Sequence, residues 1–482
     1  MNYNNKYPEY WECIPLIKLV DAFETGARPK GGVRGIENGI PSLGGEHLDN
    51  NGKFKFEKIK YVPKEFALSM KKGIIQSQDI LLVKDGATTG KVSFVNDSFP
   101  FKYAVINEHL FLIRCLDPIN SKFVYYYLYG PIGQKDVQDN FKGSAQGGIN
   151  HSFSKNTIIP LPPVNEQNRI VEKLDALFVR IDSIKERMDA IPELIKQFRQ
   201  SVLHAAVTGK LTEEWRKLKS YKSSYTYSNE LKMNIPNEWE LIKLKEVSKE
   251  LRYGTSAKSH NTGKTPVLRM GNLQNGKIDW SDLKYSTDEE EIRKYQLNNG
   301  DVLFNRTNSP ELVGKTVIYR GERPAIYAGY IIKIVTNEEL SPEFLNIVLN
   351  SQFARRWCWQ VKSDGVSQSN INAKKLTSFK LPLPVLEEQN IIVFEVNKLL
   401  EISNGIETKI QALKAILNDL PRSILFKAFM GELVPQDPND EPAEKLLERI
   451  LEEKTKLDKR VRKFKSDSYQ KAAEPTPEYK KK

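Results

Sequence analysis

The chain alternates twice between two kinds of hydrophobic pattern. Through the first of these regions, short apolar runs of β character are separated by turn signals. Asp79–Val83, Lys91–Val95 and Leu110–Ile113 read as strands, and Asp49-Asn-Asn-Gly52 reads as a turn. One helix-like stretch, Ser121–Tyr129, precedes a polar loop of Gly, Ser, Gln and Asn. A proline-rich hinge follows at Pro160-Leu-Pro-Pro163, and beyond it the period changes. Apolar residues fall at Ile170, Leu174, Leu177, Ile181, Ile184, Met188, Ile191, Ile195, Phe198, Val202 and Ala205, in alternating steps of four and three. That spacing is a coiled-coil seam on a long helix. Forty residues at ~1.5 Å each give a helix of ~60 Å. Pro192 falls inside it and is expected to kink or restart the helix, because proline removes an interior hydrogen bond.

The same succession then repeats. Val302–Phe304, Thr316–Tyr319 and Ile331–Val335 answer the first strands, Asn275-Gly276 is a turn, and Pro342–Leu349 is the matching helix. A second hinge, Pro382-Leu-Pro384, leads into a second seam at Ile392, Val396, Leu399, Ile406, Ile410, Leu413, Leu417, Leu420 and Ile424. Ser403 alone breaks that seam, and Pro421 is a second expected kink. At an offset of 222, Gly143–Leu211 aligns with Gly365–Leu433 without a gap, with 20 of 69 positions identical. Pro8, Trp11 and Glu12 likewise pair with Pro236, Trp239 and Glu240.

The expected fold class is therefore α+β. Two similar α+β domains are joined by two long helices that form an antiparallel coiled coil, in a pseudo-two-fold internal repeat. The expected boundaries are a first domain over 1–163, the first long helix over 164–210 and a polar linker over 211–235. A second domain over 236–385 and the second long helix over 386–433 follow. The remainder, 434–482, reads as a C-terminal helix from Pro442 to about Phe464 and a disordered tail ending in three lysines.

Composition narrows the function. Lys and Arg total 73 against 61 Asp and Glu, a formal net charge of +12 over 482 residues, which fits a polyanionic partner without requiring one. No run approaches the ~18 apolar residues that span a bilayer, so no membrane role is expected. The three cysteines, Cys13, Cys115 and Cys358, form no CxxC or Cys/His cluster, which suits a reducing cytoplasm and excludes a cysteine-built zinc site.

The catalytic motifs expected of an enzyme of this size are missing. Gly86-Ala-Thr-Thr-Gly90-Lys91 is one residue too short for a phosphate-binding loop, and Ser309 to Thr316 lacks its first glycine, so both read as strand-to-strand turns. No GxGxxG, HExxH or GxSxG is present. His109, flanked by an apolar run, reads as a packed core histidine.

What remains is a concentration of polar and basic residues in the loops of the two domains. The first offers Arg28, Lys30, Arg34, His47, Lys84, Thr88, Thr89, Lys91 and Gln146. The second offers Arg252, Tyr253, Ser256, Lys258, Arg269, Asn272, Arg306, Thr307, Asn308, Lys315 and Gln368. These residue types donate hydrogen bonds to phosphates and base edges, and Gln can bond adenine bidentately. Polar loops also simply face water. A shared frame with divergent loops favours recognition of two different short sequences, with no catalytic residue and no metal in the chain.

The block Pro160-Leu-Pro-Pro-Val-Asn-Glu-Gln-Asn-Arg-Ile-Val171, its copy at Leu383–Val393, Ala205-Ala-Val-Thr-Gly-Lys-Leu211, Asn305–Lys315 and Phe429–Gln436 resemble the specificity subunit of type I restriction–modification systems. The resemblance implies two target-recognition domains, each reading one half of a bipartite site in double-stranded DNA, with the long helices as a ruler between them. It also implies docking of two methyltransferase subunits, which methylate adenine with S-adenosylmethionine, and of restriction subunits that translocate DNA with ATP and Mg2+. Those cofactors would sit on the partners and none in this chain. Two other readings stand beside this one: a single-chain methyltransferase or nuclease with unread motifs, and a coiled-coil adaptor for proteins alone.

Overall fold

The structure, a computed structural model, describes residues 7–143, 147–221, 224–274, 276–366 and 368–452. It resolves into two compact units. One takes the residues up to Glu186 together with those from Lys414 onward, and the other takes Arg187–Leu413.

Each unit contains the same strand frame. In the first, a four-stranded antiparallel sheet runs in the order Val20–Thr25, Leu110–Cys115, Ile80–Val83, Val92–Phe94. In the second the order is Ser248–Tyr253, Ile331–Thr336, Val302–Asn305, Thr316–Ile318. The central strands are apolar on both faces because both faces are covered: Ile80, Leu81 and Leu82 are fully buried, as are Val302, Leu303 and Phe304. A three-stranded sheet lies beside each, centred on Ile40–Leu43 and on Thr265–Leu268, each with one antiparallel and one parallel neighbour. In both units a short strand near the start of the domain, Glu12–Pro15 or Glu240–Lys243, pairs with the strand that enters a long helix. The expected helices appear at Ser121–Tyr129 and Pro342–Asn350.

The long helices run Val164–Val207 and Leu386–Phe429, 44 residues each. At ~1.5 Å per residue each extends ~66 Å. Pro192 and Pro421 lie inside them without interrupting either, which corrects the expected restart. Pro192 is exposed to solvent. In the first unit Ile170 and Leu174 share a core with Leu425, Ala428 and Phe429. In the second, Val202 and Ala206 share one with Ile392 and Val396. Early residues of one helix thus meet late residues of the other, and the pairing is antiparallel.

Beyond Ile170 the seam of the first helix is unevenly used. Leu174, Ile181, Met188, Ile195 and Val202, one residue per heptad, are buried, whereas Ile184 and Phe198 at the alternate position are more than 40% exposed. The break at Ser403 is a polar joint. Its buried Oγ accepts a hydrogen bond from Arg199 Nε at 2.8 Å, and Arg199 also donates to Asn404 and Glu407 at 2.8 and 2.7 Å. A single polar seam position of this kind fixes register at some expense of stability.

The Glu-Gln pair of each hinge has a structural task. Gln167 accepts the backbone N–H of Asn120 at 3.0 Å and donates to the Pro162 carbonyl at 2.9 Å. Gln389 repeats this with Ser341 and Pro384 at 2.8 and 2.9 Å. Both amides are fully buried and lock the start of a long helix to the start of a domain helix. The preceding glutamates accept from the indoles of Trp11 and Trp239, at 3.1 and 2.9 Å. The most repeated motif in the sequence is therefore a joint between domain and helix.

The polar linker 211–235 is folded. It carries a helix, Glu213–Leu218, and a hairpin, Tyr225–Ser228 with Met233–Pro236. Two of its polar residues face inward, Thr212 and Arg216: Arg216 is fully buried and bonds Glu388, Thr212 at 2.9 Å and Tyr225 at 2.7 Å. At the other end of the chain a helix over 443–452 buries Leu446 and Ile450 in the first unit's core. The rest of the expected C-terminal helix and tail lies outside the described residues.

Candidate nucleic-acid interface

In the first unit the turn joining Ile80–Val83 to Val92–Phe94 carries Lys84, Thr88 and Thr89. Gly86 and Gly90 take φ of +85° and +93° there, so the motif is a tight turn as expected. The turn borders an open cavity of about 370 Å³ lined by Gly45, Glu46, Val83, Asp85, Gly86, Ala87, Thr88 and His109. Lys84 donates to Asp85 Oδ2 at 2.9 Å, and His109 Nδ1 donates to Asp85 Oδ1 at 2.5 Å. Partial burial pushes the Asp85 carboxyl up, but the hydrogen bonds from Lys84 and His109 outweigh it and hold the group below its ordinary value. On the same side Arg28 pairs with Glu108 at 2.9 Å and comes within 3.4 Å of His109 Nε2. Lys30 and Arg34 are exposed on the loop after Val20–Thr25, and Lys91 is half-buried at the end of the turn. Thr89 folds back onto the Gly86 carbonyl at 2.7 Å. Gln146 lies outside the described residues.

In the second unit Tyr253, Arg306 and Thr307 come together. The Arg306 guanidinium lies 4.7 Å from the centre of the Tyr253 ring and donates to Gly329 O at 3.2 Å and Asn370 Oδ1 at 3.3 Å. Thr307 Oγ1 accepts from Asn370 Nδ2 at 2.7 Å, and Tyr253 Oη accepts the backbone N–H of Ala373 at 2.8 Å. Lys315 donates to Gln274 at 2.8 Å; burial, aided by Arg355, lowers its pKa. Arg252 stacks over Tyr295 at 5.2 Å, Asn308 accepts the N–H of Ser309 at 2.8 Å, and Ser256, Lys258 and Gln368 are exposed.

Two of the candidates are buried, and a third, Arg269, is engaged by a neighbouring carboxylate. His47 is buried; its Nδ1 accepts the Gly44 N–H at 2.8 Å and its Nε2 donates to the Lys58 carbonyl at 3.1 Å. Asn272 occupies the equivalent turn, accepting the Arg269 N–H at 2.8 Å and donating to Asp279 and Asp282 carbonyls. Both close a 3-10 turn, a structural task that favours polar residues as much as DNA contact does. Arg269 is tied to Asp282 at 3.1 Å. His109 errs the other way: it precedes the strand Leu110–Cys115, and its side chain is 43% exposed.

Sequence reasoning missed Glu46, Asp85, Tyr330 and Asn370; the two acids were passed over because only hydrogen-bond donors were sought. The repeat held the signal. Lys84 N donates to His109 O at 3.0 Å, and Arg306 N donates to Tyr330 O at 2.9 Å. Asp85 bridges Gly148 where Thr307 pairs with Asn370. Position for position, Lys-Asp-His in one unit stands where Arg-Thr-Tyr stands in the other. Among the described residues there is no group of three or more His, Cys, Asp or Glu placed to hold a metal ion. No helix among them is long and apolar enough to cross a membrane.

Comparison with known proteins agrees with this arrangement. Residues 31–193 and 236–415 match the family described as the type I restriction modification DNA specificity domain. The EcoKI specificity subunit of Escherichia coli strain K12 is 30% identical over 474 residues, covering 93% of this chain and 96% of that protein. The MjaVIII specificity subunit of Methanocaldococcus jannaschii is 25% identical over 414 residues, 84% and 88% of the two chains. The crystal structure of the HsdS subunit from Thermoanaerobacter tengcongensis superposes with a TM-score of 0.63 at 18% identity, over 89% of this chain and 98% of that one. With two matched domains on a repeated frame, the chain belongs to the family of type I restriction–modification DNA specificity subunits.

Proposed function

We propose that the chain is the sequence-reading subunit of a type I restriction–modification assembly and performs no catalysis itself. Each unit reads one half of a bipartite site in double-stranded DNA. One observation carries this: two units keep one strand frame and hydrogen-bonding register while exchanging the chemistry at the turn after Ile80–Val83 and its equivalent after Val302–Asn305. Shared frames with exchanged loops suit two different short sequences. The long helices set the spacer between half-sites, and their exposed apolar residues, among them Ile184, Phe198, Phe394 and Ile406, receive two methyltransferase subunits. Restriction subunits that translocate DNA join through these partners. S-adenosylmethionine, ATP and Mg2+ act on the partner subunits, and the assembly works in the cytoplasm.

Two measurements test the proposal. DNA affinity of the assembled complex is expected to fall by orders of magnitude between roughly 50 and 200 mM salt; no such slope would leave the protein-adaptor reading. Removing one heptad from each long helix shortens it by ~10 Å, about three base pairs. The spacer is expected to shorten while both half-sites persist. A changed half-site would overturn the ruler. Methyl-donor binding or DNA cleavage by the purified chain alone would overturn the non-catalytic assignment.

A further inference from the structure

We infer that Asp85 is a specificity-determining acceptor that takes the N4 amino group of a cytosine in the half-site read by the first unit. The inference rests on the DNA-reading function proposed above. Asp85 is not required by the frame, because Thr307 occupies the same register position in the second unit with the same backbone pairing. What it adds is chemistry. Its side chain is 30% exposed at the wall of the cavity of about 370 Å³.

Each carboxylate oxygen has two lone pairs. Lys84 occupies one on Oδ2 and His109 one on Oδ1, which leaves acceptor capacity toward the cavity. The Lys84 ammonium also offsets the carboxylate charge, so a polyanion meets a neutralised cluster. The low position of the Asp85 carboxyl keeps it ionised, and therefore acceptor-only, throughout the neutral range. Such a group needs a donor. In the major groove the donors on base edges are the amino groups of cytosine and adenine. Adenine sets its N7 acceptor beside its amino group, and Glu46, a second acceptor, lines the same cavity. Cytosine shows a donor alone, so it is the base that fits.

The test uses the chain assembled with its methyltransferase partners and a duplex of its mapped site. Each cytosine of the first half-site is replaced in turn by 2-pyrimidinone, which lacks the amino group. At one position the wild-type complex is expected to bind about 10-fold more weakly, the size of a lost base contact. Asp85→Ala, and Asp85→Thr as the residue already accommodated in the second unit, are expected to bind native and substituted duplexes equally. Both variants should keep full discrimination in the second half-site, which separates a local loss from misfolding. A wild-type complex indifferent to every substitution, or an Asp85→Thr complex that still discriminates, would overturn the assignment. Sensitivity that maps instead to an adenine amino group overturns the choice of base. Failure to bind the native duplex at all would sink the DNA-reading function itself.

Discussion

The two units solve the same problem of attaching a reading domain to a long helix, and they solve it with unequal electrostatics. In the second unit Glu388 is fully engaged: one oxygen accepts from Arg216 and Thr212, the other from Trp239. Among the described residues of the first unit, Glu166 receives only the Trp11 indole, and its Oε1 is buried without a hydrogen-bond partner. Burial accordingly pushes the Glu166 carboxyl above its ordinary value of 4.5. An outer pair, Arg169 with Asp440 at 2.6 Å, supports the first joint instead. The lesson is that a repeated motif preserves geometry, while the segment that happens to cover it decides whether its charge is compensated.

The largest expected effect breaks that asymmetry. Arg216→Ala leaves Glu388 buried and unpaired, and should cost about 3–5 kcal/mol, read by urea denaturation of the second unit. Glu166→Gln should do the opposite. A carboxyl raised by folding contributes stability at low pH that is lost as pH rises through its folded value, so the amide should match wild type near pH 4 and exceed it at neutral pH. Loss of stability at neutral pH would mean that Oε1 has a partner.

The heptads offer a second contrast. Leu174→Ala, at a fully buried position, is expected to destabilise by about 2–5 kcal/mol. Ile184→Ala, at the exposed alternate position, should change stability by less than about 0.5 kcal/mol. Its effect should appear as weaker assembly with methyltransferase subunits in analytical ultracentrifugation. The joints themselves sharpen the symmetry: Gln167→Ala and Gln389→Ala each strand buried backbone groups and should cost a similar amount, about 2 kcal/mol. Markedly unequal losses would show that the two joints are not equivalent.

The smallest effect concerns Asp136. Burial, with a contribution from Asp139, pushes its carboxyl up to about 6, although Tyr127 donates to it at 2.6 Å. The stability this group contributes is complete below its ordinary 3.8 and lost as pH rises through about 6. Asp136→Asn should therefore raise Tm slightly at pH 7 and flatten its pH dependence between 4 and 6. The corresponding helix of the second unit carries Trp357 and Cys358 there, and no such pH dependence is expected from it.

Much of this was legible in the sequence. The strands at Ile80–Val83 and Val302–Asn305 follow from short apolar runs between turn signals, and the long helices from the four-three spacing that reports which side must be buried. The site was read less well. His47 and Asn272 have the right chemistry for DNA but spend it closing turns. Asp85 carries the wrong charge for a polyanion until Lys84 and His109 are seen to hold it. That the linker 211–235 is folded was not legible, because its charges gave no hint that Arg216 would find Glu388.

The sequence by itself determined the repeat, the frame and the helices, because those depend on local periodicity and on patterns that two copies state twice. Only the tertiary structure decided which polar groups are spent internally and which remain open. A hydrogen bond is a property of two groups, and partners such as Arg216 and Glu388 are brought together across 172 positions only when the chain is folded.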